Sequence, residues 1–440
     1  MKKFKVFATL LMSLAVFSCG SNTDTSKEAV KDEKVELKFS AFEGGYGDKV
    51  WPEIVKAYEE VNPKASVILT QSKTIEDELT SKIKGGQYPD VVMLATGRKA
   101  GLTENFIKEQ ALENLNDVLN RVVPGEQKKV SEKVEEGFIN NGVTKPYGND
   151  DLYLMPIFYS TTGLFYNKTL FEKEGFTVPT TWDEFFMLAK KAKAKGISLF
   201  TYATPSYLDS FLPSAIASVY GYEGVNKFYN FDSSIFKGEK GDKLFSILKD
   251  LFANTDKTTV SNANAQNYRK NQQLIIDGKS LFIPNGFWVV DEMKDTTPDT
   301  MKWGMMALPK LDKDRYAYSF FEQVWIPANA ENKEVAKDFV AFLYSDKAAE
   351  IFAKYKAVQP INSYPYDKLP KDTQLFFELY KNGAKSIVGG FVPTEPVEGL
   401  TIQDEVYSSI DSVVNKTKSI DEYRNNLIKK FDILRKHIIK

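Results

Sequence analysis

A chain of 440 residues with one histidine and one cysteine has few routes to covalent chemistry. Zinc sites built on His and Cys, Ser-His-Asp triads and Cys-His nucleophiles all need residues that are missing here. The single histidine, His437, stands three residues from the C-terminus, a position that suits a solvated tail. The single cysteine, Cys19, leaves no partner for a disulfide within the chain. Carboxylate pairs could still do acid–base work without histidine, and two are visible, Asp150-Asp151 and Asp183-Glu184. Neighbours in sequence are more often turns or helix caps, and nothing in these pairs specifies a catalytic separation. No Gly-x-x-x-x-Gly-Lys-Ser/Thr phosphate loop is present. No cofactor and no metal site is implied, because the spaced Asp/Asn loop of a calcium site is also missing. Lys+Arg 58 against Asp+Glu 59 removes the basic footprint of a nucleic-acid binder. Aromatics are plentiful, with Phe 31, Tyr 22 and Trp 5, so the chemistry on offer is contact rather than catalysis.

The elements that must position those side chains follow an alternating order. Val35, Leu37, Phe39 and Ala41 alternate with polar residues, the period of a half-buried strand. The turn Glu43-Gly44-Gly45-Tyr46-Gly47 follows, with Asp48 as the expected cap of a helix whose apolar face is Val50, Trp51, Ile54, Val55, Tyr58 and Val61. Asn62-Pro63 ends that helix. A strand at Val67–Leu69, a helix at Ile75–Ile83 and an apolar strand Val91–Ala95 behind Asp90 complete a βαβαβ unit, which argues for an α/β layer. Leu152 to Tyr166 reads as a long aromatic extended stretch, and Thr181-Trp182-Asp183-Glu184 opens a helix that ends at Gly196. Ser280–Ile283 is an expected strand, and Pro284-Asn285-Gly286-Phe287-Trp288 a turn that leads into a helix. Phe320 to Pro327 is again extended, and Val335 to Tyr344 repeats a helical period. Trp51 and Trp182 sit in helical apolar patterns and are expected in the core.

The N-terminus carries export signals. Lys2, Lys3 and Lys5 precede an apolar run from Val6 to Phe17, which meets Ser18-Cys19-Gly20. This pattern describes a signal peptide over residues 1–18. The run is shorter than the ~20 residues that span a bilayer. Leu14-Ala15-Val16-Phe17-Ser18-Cys19 resembles a bacterial lipobox, with Phe17 bulkier than that pattern favours. It predicts a lipid anchor on Cys19 and a polar tether over residues 19–34. The expected location is therefore the bacterial cell envelope, in the periplasm or on the outer face of the cytoplasmic membrane.

Several segments together resemble one family. Tyr88-Pro89-Asp90-Val91-Val92-Met93, Phe165-Tyr166-Asn167-Lys168, Thr181-Trp182-Asp183-Glu184, Asn285-Gly286-Phe287-Trp288, Ala307-Leu308-Pro309 and the run Asn332 to Phe339 occur in the order seen in the sugar-binding extracellular proteins of bacterial ABC importers. That group includes the maltose-binding protein. The first turn, Phe42 to Asp48, looks most like members assigned to N-acetylglucosamine and chitobiose.

The resemblance implies an α/β, two-lobe periplasmic-binding-protein-like fold with hinge strands and a ligand cleft between the lobes. By analogy, residues 35–158 plus 321–345 form the first lobe and residues 159–320 plus 346–440 the second. It implies a non-enzymatic receptor for a carbohydrate, an amino-sugar disaccharide or short oligosaccharide. It also implies partners: permease subunits, a separate ATPase, and the membrane through a lipid anchor only.

A pyranose offers an apolar C–H face and a rim of hydroxyls, so it calls for aromatic platforms ringed by amides, carboxylates or arginine. Carried over position by position, the expected ligand contacts are Glu43, Gly44 and Gly45 in the first turn and Arg98 after the third strand. Tyr159 and Ser160 follow at the hinge, then Tyr207, Asp209, Asn285, Trp288 and Phe391. The chain departs from the family at Gly97, where an acidic residue is common, and at Ser160, where a carboxylate is familiar. Trp288 is the expected main platform. Glu322 and Gln323 could face the cleft or satisfy backbone groups. Arg98 could fork onto a uronate or bond neutral hydroxyls, so uronate-containing disaccharides remain an alternative ligand. A surface glycoside hydrolase and a receptor for a non-sugar solute are the other readings.

Overall fold

The computed structural model describes residues 34–438 apart from positions 45, 46, 97, 99, 135, 370–373, 376, 377, 381 and 393. The signal segment, Cys19 and Gly45 therefore lie outside the described residues. Nine strands, numbered β1 to β9 along the chain, join in the order β2-β1-β3-β8-β4-β6-β5, with β7 paired to β4 and β9 to β8.

One end of this arrangement is the expected βαβαβ unit. β1 (Val35–Phe42) runs parallel to both β2 (Ala65–Ser72) and β3 (Val91–Met93). Leu37, Phe39 and Ala41 are fully buried, as their period-2 spacing requires. The helix Val50–Val61 covers them, with Trp51 set edge-on to Phe39 at 5.1 Å. Asp48 does not cap it: Lys49 holds that position with no side-chain bond, and the Asp48 carbonyl instead accepts from Gln71 Nε2 at 2.7 Å. β3 is shorter than expected and stops at Met93, because from Leu94 the chain bonds to Gln323 on β8 rather than to β1. Asp90 explains the Pro-Asp signature. Its Oδ2 accepts from the Lys38 amide at 2.8 Å and its Oδ1 from the Asn332 amide at 2.9 Å, which ties β1 to the segment that follows β8.

Two long strands connect this end to the other. β4 (Met155–Asn167) and β8 (Arg315–Trp325) pair antiparallel, with Tyr159 opposite Phe321 and Ser160 opposite Phe320. The C-terminal part of β8 lies between β3 and the N-terminal part of β4, the remainder of β4 lies beside β6 (Ser280–Gly286) and β7 (Trp303–Met306), and the remainder of β8 beside β9 (Ala384–Ile387). β5 (Ser198–Phe200) closes the far edge, parallel to β6.

β6 runs three residues beyond expectation. Pro284, Asn285 and Gly286 are paired strand residues rather than a turn. Proline is tolerated there because the antiparallel ladder does not need a donor from every residue. The helix Trp182–Lys193 begins where predicted, and Asp183-Glu184 are explained by it: Glu184 closes a capping box with Thr181. That pair does cap chemistry, not acid–base chemistry. Asp151 accepts from Asn116 Nδ2 and belongs to a loop, while Asp150 faces solvent near Lys145.

Candidate functional site

Where β4 and β8 cross, a cleft of about 340 Å³ opens. Its walls carry Ser160 from β4, Tyr318, Phe320 and Glu322 from β8, Thr96 from the loop after β3, and Gly389-Gly390 from the chain after β9. Tyr318, Phe320 and Glu322 are spaced by two, so they leave β8 on one face. Phe320 is 41% exposed although it lies mid-strand in the sheet. Tyr318 meets it edge-on at 4.9 Å and is itself buried, with its hydroxyl donating to the Gly389 carbonyl. An exposed phenyl set among Ser, Tyr and Glu offers an apolar plate with acceptors around its rim.

The next residue, Gln323, turns inward. It is 1% exposed, its Oε1 accepts from the Thr96 amide at 3.0 Å, and its backbone carbonyl accepts from Leu94. Gln323 thus holds the loop after β3 in place, whereas Glu322 stands on the cleft wall. Burial pushes the Glu322 carboxyl above the usual range, with Arg98 pulling it down. Arg98 is engaged elsewhere. Its Nε donates to Glu76 Oε2 at 2.7 Å and its guanidinium lies 3.7 Å from the centre of the Phe42 ring.

A second group forms around the start of the helix Leu208–Tyr220. Tyr207 stands 6.5 Å from Trp288, ring centre to ring centre, with the two ring planes inclined at 50°. Burial, with Glu292 nearby, raises the Tyr207 hydroxyl. Asp209 is pushed up to about 7 by burial, against which the Ser210 amide pulls it down. Its charge reaches Tyr229, Tyr318 and Tyr407, which connects this group electrostatically to the cleft wall.

Measured against expectation, the structure brings Tyr159 and Ser160 to the cleft and joins Tyr207 to Trp288. Tyr159 is 3% exposed and packs on Phe138 at 4.6 Å, so it shapes the wall from behind. Trp288 is not among the residues that line this cleft. Glu43 and Gly44 end β1, with Glu43 3.7 Å from Lys73. Phe391 is half-buried and packs on other aromatics: its ring lies 4.8 Å from Phe228, 4.8 Å from Phe231 and 5.2 Å from Tyr229. Asn285 is fully buried in β6, and its Oδ1 accepts from the Gly286 amide. Phe320 and Tyr318 were missed. The signal was present in the alternation Tyr318-x-Phe320-x-Glu322, which puts an aromatic and a carboxylate on one strand face. Among the described residues, no three His, Cys, Asp or Glu side chains converge as metal ligands, and no helix is long and apolar enough to cross a membrane.

Comparison with known proteins places this architecture. Residues 44–350 match the family model described as bacterial extracellular solute-binding protein. The diacetylchitobiose binding protein NgcE of Streptomyces coelicolor is 26% identical over 381 residues, covering 80% of this chain and 78% of that protein. The multiple sugar-binding protein of Streptococcus mutans is 26% identical over 312 residues, 68% of this chain and 67% of that one. In three dimensions, apo RafE from Streptococcus pneumoniae superposes with a TM-score of 0.68 at 20% identity, over 92% of this chain and 98% of that one. The sugar-binding protein MalE from Xanthomonas citri gives 0.66 at 17% identity, over 91% and 98%.

Proposed function

The chain belongs to the bacterial extracellular solute-binding proteins, a family of receptors rather than catalysts, and from that premise we propose that it is the carbohydrate receptor of an ABC importer. One observation carries the reading beyond the family. Phe320 lies exposed on a hinge-spanning strand with Ser160 opposite it and Glu322 two residues on. This is an apolar plate with hydrogen-bonding groups at its edge, the complement of a pyranose.

The finer reading is an amino-sugar disaccharide or short oligosaccharide, supported by the first turn and by the 26% identity to a diacetylchitobiose binding protein. The ligand sits between two lobes, with Ser160, Phe320 and Glu322 on the hinge wall and Tyr207, Asp209 and Trp288 closing over it. A hinge at Tyr159 and Phe321 lets bound sugar shift an open–closed equilibrium that permease subunits, driven by a separate ATPase, sense. The helix Asp346–Lys354 sends Phe352 into the first core, 5.8 Å from Trp51 and 4.6 Å from Phe158, which supports placing the third crossing beyond that helix rather than at Ser345. The protein is held at the cell envelope by lipid on Cys19.

A thermal-shift panel tests the sugar reading. A ligand at 100 times its Kd stabilises the fold by about 2.7 kcal/mol. Neutral amino-sugar disaccharides are expected to raise the melting temperature. A panel in which amino acids or peptides do so and every sugar fails overturns the proposal.

A further inference from the structure

The carboxylate of Glu322 stands on the cleft wall with its hydrogen bonding incomplete. Its Oε2 is buried and has no hydrogen-bond partner among the described residues. A buried acceptor without a donor is costly, and native structures keep such groups where something else completes them. Its neighbours on β8 do not complete it: Gln323 is spent on Thr96, and the Tyr318 hydroxyl on Gly389.

The cation nearest in effect does not complete it either. The Arg98 charge pulls the Glu322 carboxyl down against burial. Its guanidinium is bound through Nε to Glu76 and stands 3.7 Å from the centre of the Phe42 ring. Glu76 is itself nearly buried, and its Oε1 is likewise without a partner. Among the described residues, the Arg98 guanidinium is thus paired with Glu76 and makes no ion pair with Glu322. With its Nε edge taken, Arg98 has lost one of the two paired donor edges with which a guanidinium clamps a carboxylate.

We propose that Glu322 is the charge filter of this site: its unpartnered Oε2 on the cleft wall accepts a hydrogen bond from the ligand, so the site takes sugars that present a hydroxyl or an amine there and turns away hexuronates. This rests on the carbohydrate reading above and decides between its two ligand classes. A hydroxyl can donate to Oε2 and stay neutral, and an ammonium can donate and neutralise it. A hexuronate carboxylate is an acceptor only, so at neutral pH it would set a second negative charge against Glu322 on the cleft wall. Discrimination of this kind comes from a repulsive element as much as from an attractive one.

Titration calorimetry on matched ligands tests it. N,N′-diacetylchitobiose, lactose and cellobiose are each set against the counterpart that carries a hexuronic acid, with wild type, Glu322→Gln and Glu322→Asp. Wild type is expected to favour the best-binding neutral sugar over its acidic counterpart by about 100-fold, roughly 2.7 kcal/mol. Glu322→Gln, which keeps the shape and removes the charge, should narrow that ratio about tenfold or more without lowering ligand-free melting. Glu322→Asp should restore most of it. Equal affinity for both classes in wild type, or an unchanged ratio in Glu322→Gln, overturns the charge filter while leaving a sugar receptor. If no sugar of either class binds wild type, the carbohydrate reading falls and takes the filter with it.

Discussion

The indole of Trp288 lies across Gly286 so closely that a Cβ at Gly286 would stand 2.2 Å from two ring atoms. Gly286 is the last residue of β6 and Trp288 the first of the helix Trp288–Glu292, so the strand end and the ring occupy one space. Only a residue with no side chain permits this.

That relationship yields the first prediction. Gly286→Ala must displace the indole, and with it the packing of that ring against Tyr207. If the Trp288–Tyr207 pair closes over a sugar, Gly286→Ala and Trp288→Ala should weaken binding by a similar amount. The expected loss is on the order of 2 kcal/mol or more, the range of a buried aromatic anchor. Calorimetry and ligand-free melting on both variants check it. Wild-type affinity in either variant would remove Trp288 from the binding surface.

Asp209 should make stability fall with pH. Its folded value, pushed up to about 7 by burial, lies above the ordinary aspartate value near 3.8. Between those values the folded state holds a proton that the unfolded state has released. Stability therefore declines as pH rises from about 4 to 7, by at most about 1.4 kcal/mol per pH unit, and the full penalty stands above 7. Asp209→Asn should match wild type in melting temperature near pH 4 and exceed it at pH 8. A variant that is equally stable across the range refutes the assignment.

Lys133 is 2% exposed, with its ammonium 2.5 Å from Glu126 and 2.9 Å from Asp346. It joins the loop before the cleft to the start of the helix Asp346–Lys354. Lys133→Ala removes two charge-assisted hydrogen bonds but leaves Asp346, whose side chain is 66% exposed, open to water, so it should cost about 1–3 kcal/mol. Lys133→Met with Glu126→Gln and Asp346→Asn should recover much of that. Urea unfolding of the single and triple variants measures both.

Cys19→Ala should shift the protein from the membrane fraction to the soluble one without changing sugar affinity. Fractionation and calorimetry on the same preparation check it. Retention on the membrane would rule out lipid on Cys19.

The family, the α/β class and most element positions were legible because they rest on local properties. The alternation of Leu37, Phe39 and Ala41 specifies one buried face, Asn62-Pro63 stops a helix, and Thr181 with Glu184 caps one, whatever lies across the fold. The missing His and Cys ruled out whole classes of chemistry by composition alone. What the sequence could not carry was decided between segments far apart in the chain. Asp90 earns its place through Lys38 and Asn332, which no local pattern shows. Phe391 reads equally well as platform or packing until Phe228, Phe231 and Tyr229 close around it. Pro284 to Gly286 have turn composition, yet β4 pairs with them and keeps them extended. Glu322 and Gln323 are adjacent and chemically alike, and a strand sends them to opposite faces. Both border the cleft, and what separates them is that Gln323 is spent on Thr96 while Glu322 Oε2 has no partner among the described residues. Side-chain direction relative to a cleft is a property of packing across the sheet, and only the tertiary structure contains it.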